Sequence, residues 1–102
     1  WTIDGAVTSQ FEQHLRAVLD LPLGETAPTA PWSVMVNVFG GPVDATMPDR
    51  YPAAFTAHPD VKFHSYGKQS RPGRKVGHVT ATGGELDGTI ARARAAAGLF
   101  EN

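Results

Sequence analysis

The sequence predicts an α+β fold, a small antiparallel or mixed sheet with flanking helices. Three observations carry this. Helical periodicity is confined to the two ends of the chain, behind Ser9-x-x-Glu12 and Thr82-x-x-Glu85. Period-two alternation is confined to the middle, in SVMVNVF, in residues 61–66 and in KVGHVTAT. Only Gly67 to Arg74 separate the last two of these segments. That is short of the dozen or so residues a parallel crossover needs, so the two strands must run antiparallel.

The first helix opens at Ser9, whose hydroxyl can take an orphan amide while Glu12 reaches back. Phe11, Leu15 and Val18 then fall on one face, widened by Leu19, and Pro22 stops the helix after about Leu21. Residues 22–31, PLGETAPTAP, hold three prolines and no period, which marks a linker or long surface loop. Ser33 to Phe39 places Val34, Val36 and Val38 against Met35 and Phe39, a strand expected to be buried on both faces, with Gly40-Gly41-Pro42 as its turn. Pro48, Pro52 and Pro59 break up residues 44–58, where a short irregular helix opens around Met47-Pro48-Asp49 and ends near Ala57. Val61 to Tyr66 is a half-buried strand and Lys75 to Thr82 a third. The second capping box, Thr82-x-x-Glu85, opens a final helix with Leu86, Ile90, Ala93 and Ala97 on one face and Gly98 at its C′ position.

Composition narrows the function. The 102 residues suffice for one small core and not for a nucleotide-binding ligase, kinase or dehydrogenase. Nine Lys and Arg against ten Asp and Glu leave a net charge of −1, which argues against nucleic acid and anionic membranes as partners. The absence of Cys excludes a disulfide framework, a thiol nucleophile and a Cys-type zinc site. No apolar run is long enough to span a bilayer. Without an initiator Met or a leader, the chain reads as a cytoplasmic piece of something longer.

The densest polar signal lies between the second and third strands. Lys68, Arg71, Arg74 and Lys75 are four of the nine basic residues, and no acid occurs from Val61 to Gly84. Gly67, Pro72, Gly73 and Gly77 shape a tight loop whose amides can approach a ligand. Such a loop suits a phosphate or carboxylate, with His78 at its end to orient the ligand or to finish a strand. A solvated basic hairpin fits the same run. His14, His58, His64 and His78 match no metal-ligand spacing, and Gly40-Gly41 and Gly83-Gly84 lack the Lys and spacing of a phosphate loop. Asp4, Asp44 and Asp49 form no recognisable carboxylate pair, and Trp1 and Trp32 suit core or interface anchors.

The stretches WTIDGAVTSQFEQHLRAVLDLPLG, VMVNVFG and RPGRKVGHVTAT resemble, in that order, the C-terminal part of the N5-carboxyaminoimidazole ribonucleotide synthetase family, the ATPase subunits of phosphoribosylaminoimidazole carboxylase. The resemblance implies an ATP-grasp ligase of de novo purine synthesis, usually a homodimer. It would activate bicarbonate with ATP and Mg²⁺ and carboxylate aminoimidazole ribonucleotide. ATP and Mg²⁺ would be bound by lobes upstream of this chain, so the piece alone should be inactive and hold no cofactor. Carried over by position, Lys68, Arg74 and Lys75 would contact the ribonucleotide phosphate or the carboxyphosphate, with Arg71 and His78 as further substrate-binding residues. Residues 1–21 would end the ATP-grasp lobe, 22–31 would be linker, and 32–102 the small C-terminal domain. The alternative is a non-catalytic anion-binding or dimerisation module, with Trp32, Met35, Phe39 and the last helix as its interface.

Overall fold

A computed structural model describes residues 1–40 and 46–100. The elements are α1 (Thr2–Gly5), α2 (Gln10–Val18), β1 (Trp32–Phe39), a 3-10 turn (Met47–Arg50), α3 (Tyr51–Ala57), β2 (Lys62–Ser65), β3 (Lys75–Gly83) and α4 (Leu86–Gly98). The strands form one antiparallel sheet in the order β1-β3-β2. The expected α+β class and antiparallel hairpin are therefore present. Gly41, Pro42 and Asp44 lie outside the described residues.

The Ser9 cap forms as the sequence dictates, its Oγ accepting the Glu12 N–H at 3.1 Å, while the Glu12 carboxylate turns forward to Arg16 at 2.8 Å. The helix stops earlier than expected, at Val18 rather than about Leu21, and Pro22 is not the cause. Asp20 takes a left-handed conformation (φ 55°), its N–H donating to Ala17 O and the Leu21 N–H to Arg16 O, the paired bonds of a Schellman turn. The loop that follows is pinned back on the N-terminal segment. Val7 N–H donates to Ala27 O, Thr29 N–H donates to Gly5 O, and the Gln13 amide clasps both backbone groups of Gly24 at 2.9 Å.

Four further expectations need correcting. β1 is not buried on both faces: it is an edge strand, with Val38 buried and Val34 and Val36 packed on the core while Met35 and Phe39 stay exposed. The strand buried on both faces is β3, in the middle of the sheet. Thr82 does not cap α4, because β3 runs on to Gly83; Glu85 is the cap, accepting the Gly88 N–H at 3.1 Å. The face of α4 that packs down is Thr89, Ala93, Ala96 and Ala97, leaving Leu86 exposed, and Gly98 is its last helical residue rather than a C′ glycine. Small side chains win that face because α4 lies across β1 and β3, where alanine permits close approach.

The core joins Val38, Val61, Val76, Val79 and Ala81 of the sheet region to Ala54, Met47 and the α4 alanines. At one end Tyr51, Phe55, Phe63 and Phe100 form an aromatic cluster, with Phe63 and Phe100 centroids 5.6 Å apart. Trp1 and Trp32 lie outside the core, both exposed. Among the described residues no helix is long and apolar enough to cross a membrane.

Candidate anion site

The basic loop is braced on both sides. Pro72 and Gly73 (φ 76°) turn the chain so that the Arg74 N–H donates to Arg71 O at 3.1 Å, and Gly67 (φ 72°) makes the earlier bend. The end of β1 lies against this turn: Gly40 N–H donates to Arg74 O at 2.7 Å, and a Cβ at Gly40 would run into the Arg71 backbone. Only glycine permits that approach. The loop is thus presented by the sheet rather than hanging from it.

Lys68, Arg71 and Lys75 are exposed and Arg74 is half-buried. Among the described residues the ion pairs are Glu12–Arg16, Asp4–His64 and Asp60–Arg92, so none of the four loop cations has a carboxylate partner there. Four cations in and beside one braced turn, with no carboxylate partner among the described residues, create a local positive potential on a chain of net charge −1. Arg can grip two oxygens of a phosphate or carboxylate at once, and each charge-assisted hydrogen bond is worth roughly 1.5–3 kcal/mol.

His78 is placed differently. It sits inside the central strand, 8% exposed, in a row that runs Asn37–His78–His64 across the three strands. Its Nδ1 lies 2.9 Å from the Tyr66 hydroxyl, and its ring stacks on His64 at 4.7 Å. The His64 Nε2–H donates in turn to Asp4 Oδ2 at 2.6 Å, which ties α1 to β2. Desolvation by burial, aided by the nearby His64, holds the His78 pKa below the usual imidazole value, so the ring is neutral near neutral pH. On the same face Ser33 Oγ, Asn37 Oδ1 and Thr80 Oγ1 are buried without a hydrogen-bond partner.

Sequence reasoning left Tyr66, His64 and Asp4 out of the site. The antiparallel hairpin, once its register is fixed at Ser65↔Gly77, sets His64 opposite His78, so that pair was within reach. Asp4 was not, being 60 positions from His64 with no local pattern linking them. His14 is exposed and His58 half-buried, each apart from this cluster. Among the described residues no group of three or more His, Cys, Asp or Glu could hold a metal ion.

Comparison with known proteins gives a consistent result. The profile of the phosphoribosylaminoimidazole carboxylase C-terminal domain matches residues 33–92. The N5-carboxyaminoimidazole ribonucleotide synthase of Mycobacterium leprae is 55% identical over 92 residues, covering 85% of this chain and 21% of that protein. The crystal structure of the synthetase from Thermus thermophilus superposes with a TM-score of 0.73 at 43% identity, covering 100% of this chain and 26% of that one. The Aspergillus clavatus synthase, solved in complex with ADP and 5-aminoimidazole ribonucleotide, superposes with a TM-score of 0.74 at 33% identity, covering 98% of this chain and 27% of that one. The chain thus spans about a quarter of the length of the relatives it matches.

Proposed function

Because the chain belongs to the phosphoribosylaminoimidazole carboxylase C-terminal domain family, we propose that it is the C-terminal portion of an ATP-dependent ligase of purine biosynthesis. The reaction is carboxylation of aminoimidazole ribonucleotide with bicarbonate to the N5-carboxy product. This chain's share is anion binding through Lys68, Arg71, Arg74 and Lys75. One observation carries that share: four cations in and beside a turn braced by Gly40, with no carboxylate partner among the described residues. Placed against a phosphorylated bicarbonate, they would stabilise charge that grows along the reaction. In this reading ATP and Mg²⁺ are held by the remainder of the complete synthetase.

The test is a chimera. The matching segment of the Mycobacterium tuberculosis synthase, 50% identical over 99 residues, is replaced by this chain, and ATP-dependent formation of N5-carboxyaminoimidazole ribonucleotide is measured. Turnover near the parent's supports the proposal, and a folded, nucleotide-binding chimera without turnover refutes it.

Residues 1–21 belong, in this reading, to the end of the ATP-grasp lobe, with 22–31 as linker and 32–102 as the small domain. What supports it is α2, which buries no residue and exposes Phe11 (59%), Leu15 (59%) and Val18 (63%) along one face. The upstream lobe covers that face in the complete synthetase. Leu15→Ser should therefore change the stability of the isolated chain by no more than about 0.5 kcal/mol. In the complete synthetase it should cost about 2–5 kcal/mol, read by thermal melting of both proteins. Equal small effects in the two would place the face in solvent. Homodimerisation is part of the same proposal, and the free edge of β1 with exposed Trp32, Met35 and Phe39 is the surface that favours it. The last helix is less suited to an interface, because it spends Ala93, Ala96 and Ala97 on its own core.

A further inference from the structure

We infer that His78 serves the anion site as a positioning residue, acting through Tyr66 on Lys75, and is not itself a ligand of the anion. The inference rests on the anion-loop reading above and names how that loop is held. His78 is buried in the central strand, and its Nδ1 is committed to the Tyr66 hydroxyl at 2.9 Å. A neutral imidazole offers one acceptor nitrogen; that role is assigned here to Nδ1, with the Tyr66 hydroxyl donating to it and the ring N–H on Nε2. Tyr66 is anchored at the mouth of the loop by its own N–H, which donates to Val76 O at 2.9 Å. The Lys75 ammonium lies 5.8 Å from the centroid of the Tyr66 ring, within the range of a cation–π contact.

Behind His78, the His64 ring stacks at 4.7 Å and is fixed by Asp4 at 2.6 Å. A continuous line of contacts, Asp4–His64–His78–Tyr66–Lys75, therefore runs from α1 to the loop. Through it the orientation of the N-terminal segment and the placement of a loop cation are coupled. The groups facing His78 are His64 from β2, Asp4 and the amino terminus from residues 1–4, Lys75 from the start of β3 and Tyr66. Protonating His78 turns Nδ1 from acceptor to donor, so the Tyr66 hydroxyl must rotate to accept from it, and it sets a positive charge against Lys75, which is pushed from its place over the Tyr66 ring.

The experiment is steady-state kinetics of the complete synthetase carrying this chain, with aminoimidazole ribonucleotide varied. His78→Asn keeps an acceptor where Nδ1 was, and its KM should stay within about twofold of the parent. His78→Gln and Tyr66→Phe should each raise KM about tenfold with kcat little changed, and the double variant should be no worse than either single one. A direct ligand acting through Nε2 gives the reverse, with Gln tolerated, Asn not, and Tyr66→Phe additive; that result overturns the inference. The pH profile separates the two again. KM of the parent relative to His78→Asn, which corrects for titration of the ribonucleotide's own phosphate, should rise as pH falls through the lowered His78 pKa. A relative KM that falls, because a charged ring now helps bind the anion, also overturns it. Tyr66→Phe keeps its ring, and thermal melting confirms that each variant is folded. If Lys68→Ala and Lys75→Ala leave KM unchanged, the loop reading itself is wrong; if they raise it while Gln replaces His78 freely, only the positioning role is.

Discussion

Lys68→Ala or Lys75→Ala in the complete synthetase should raise the KM for aminoimidazole ribonucleotide, or lower kcat, by tenfold or more while leaving the KM for ATP nearly unchanged. The size follows from the loss of a charge-assisted hydrogen bond, about 1.5–3 kcal/mol, where each 1.4 kcal/mol is about tenfold. Both side chains are exposed and have no carboxylate partner among the described residues, so truncation removes charge from the ligand's side of the loop and leaves no orphaned acid behind. Arg74→Ala should act similarly, with some added cost to the loop because Arg74 is half-buried. The effect should shrink as salt is raised, since exposed charges are screened over a Debye length of about 8 Å at physiological ionic strength. If all of the loop variants bind and turn over like the parent, the loop is a solvated hairpin and the anion assignment is wrong.

Phe100→Ala should be the most damaging single change to the fold among the aromatic positions. Phe100 is 6% exposed and packs on both Tyr51 and Phe63, joining the C-terminal end of α4 to α3 and β2. Truncating a buried Phe costs about 3–5 kcal/mol, against a total stability of about 5–15 kcal/mol for a domain. For a chain near 100 residues that corresponds to a fall in Tm of at least about 12 °C. Phe55→Ala is the control. Phe55 stacks on Tyr51 at 4.9 Å but is 52% exposed, so most of its surface stays in water and the melting point should move far less. Equal losses at the two positions would mean that the cluster, and not burial, sets the cost.

The local signals in the chain were read with uneven success, and the reason differs from element to element. Ser9 and the valines of β1 act through neighbours a few positions away, so a cap and a strand could be placed from residue type and spacing. The end of α2 could not, because the Schellman turn needs Asp20 to accept a left-handed conformation that sequence patterns assign to glycine. Thr82-x-x-Glu85 satisfied the capping pattern, but strand pairing kept Thr82 in β3, opposite Ser33, and the cap passed to Glu85. On α4 the amphipathic pattern placed Ala93 and Ala97 correctly but grouped them with the larger Leu86 and Ile90, whereas close packing on the sheet took Thr89 and Ala96.

What the sequence by itself determined is the class of the fold, the antiparallel hairpin and the cationic loop, because each depends on composition or spacing over fewer than a dozen or so positions. The tertiary structure alone decided which strand is central, and so which one is buried on both faces. It also decided that Gly40 braces the loop and that Asp4, His64, His78 and Tyr66 meet on one face of the sheet. Those contacts join residues as far as 60 positions apart. They exist only once strand order and register have folded the chain back on itself, and no periodicity along the sequence records that event.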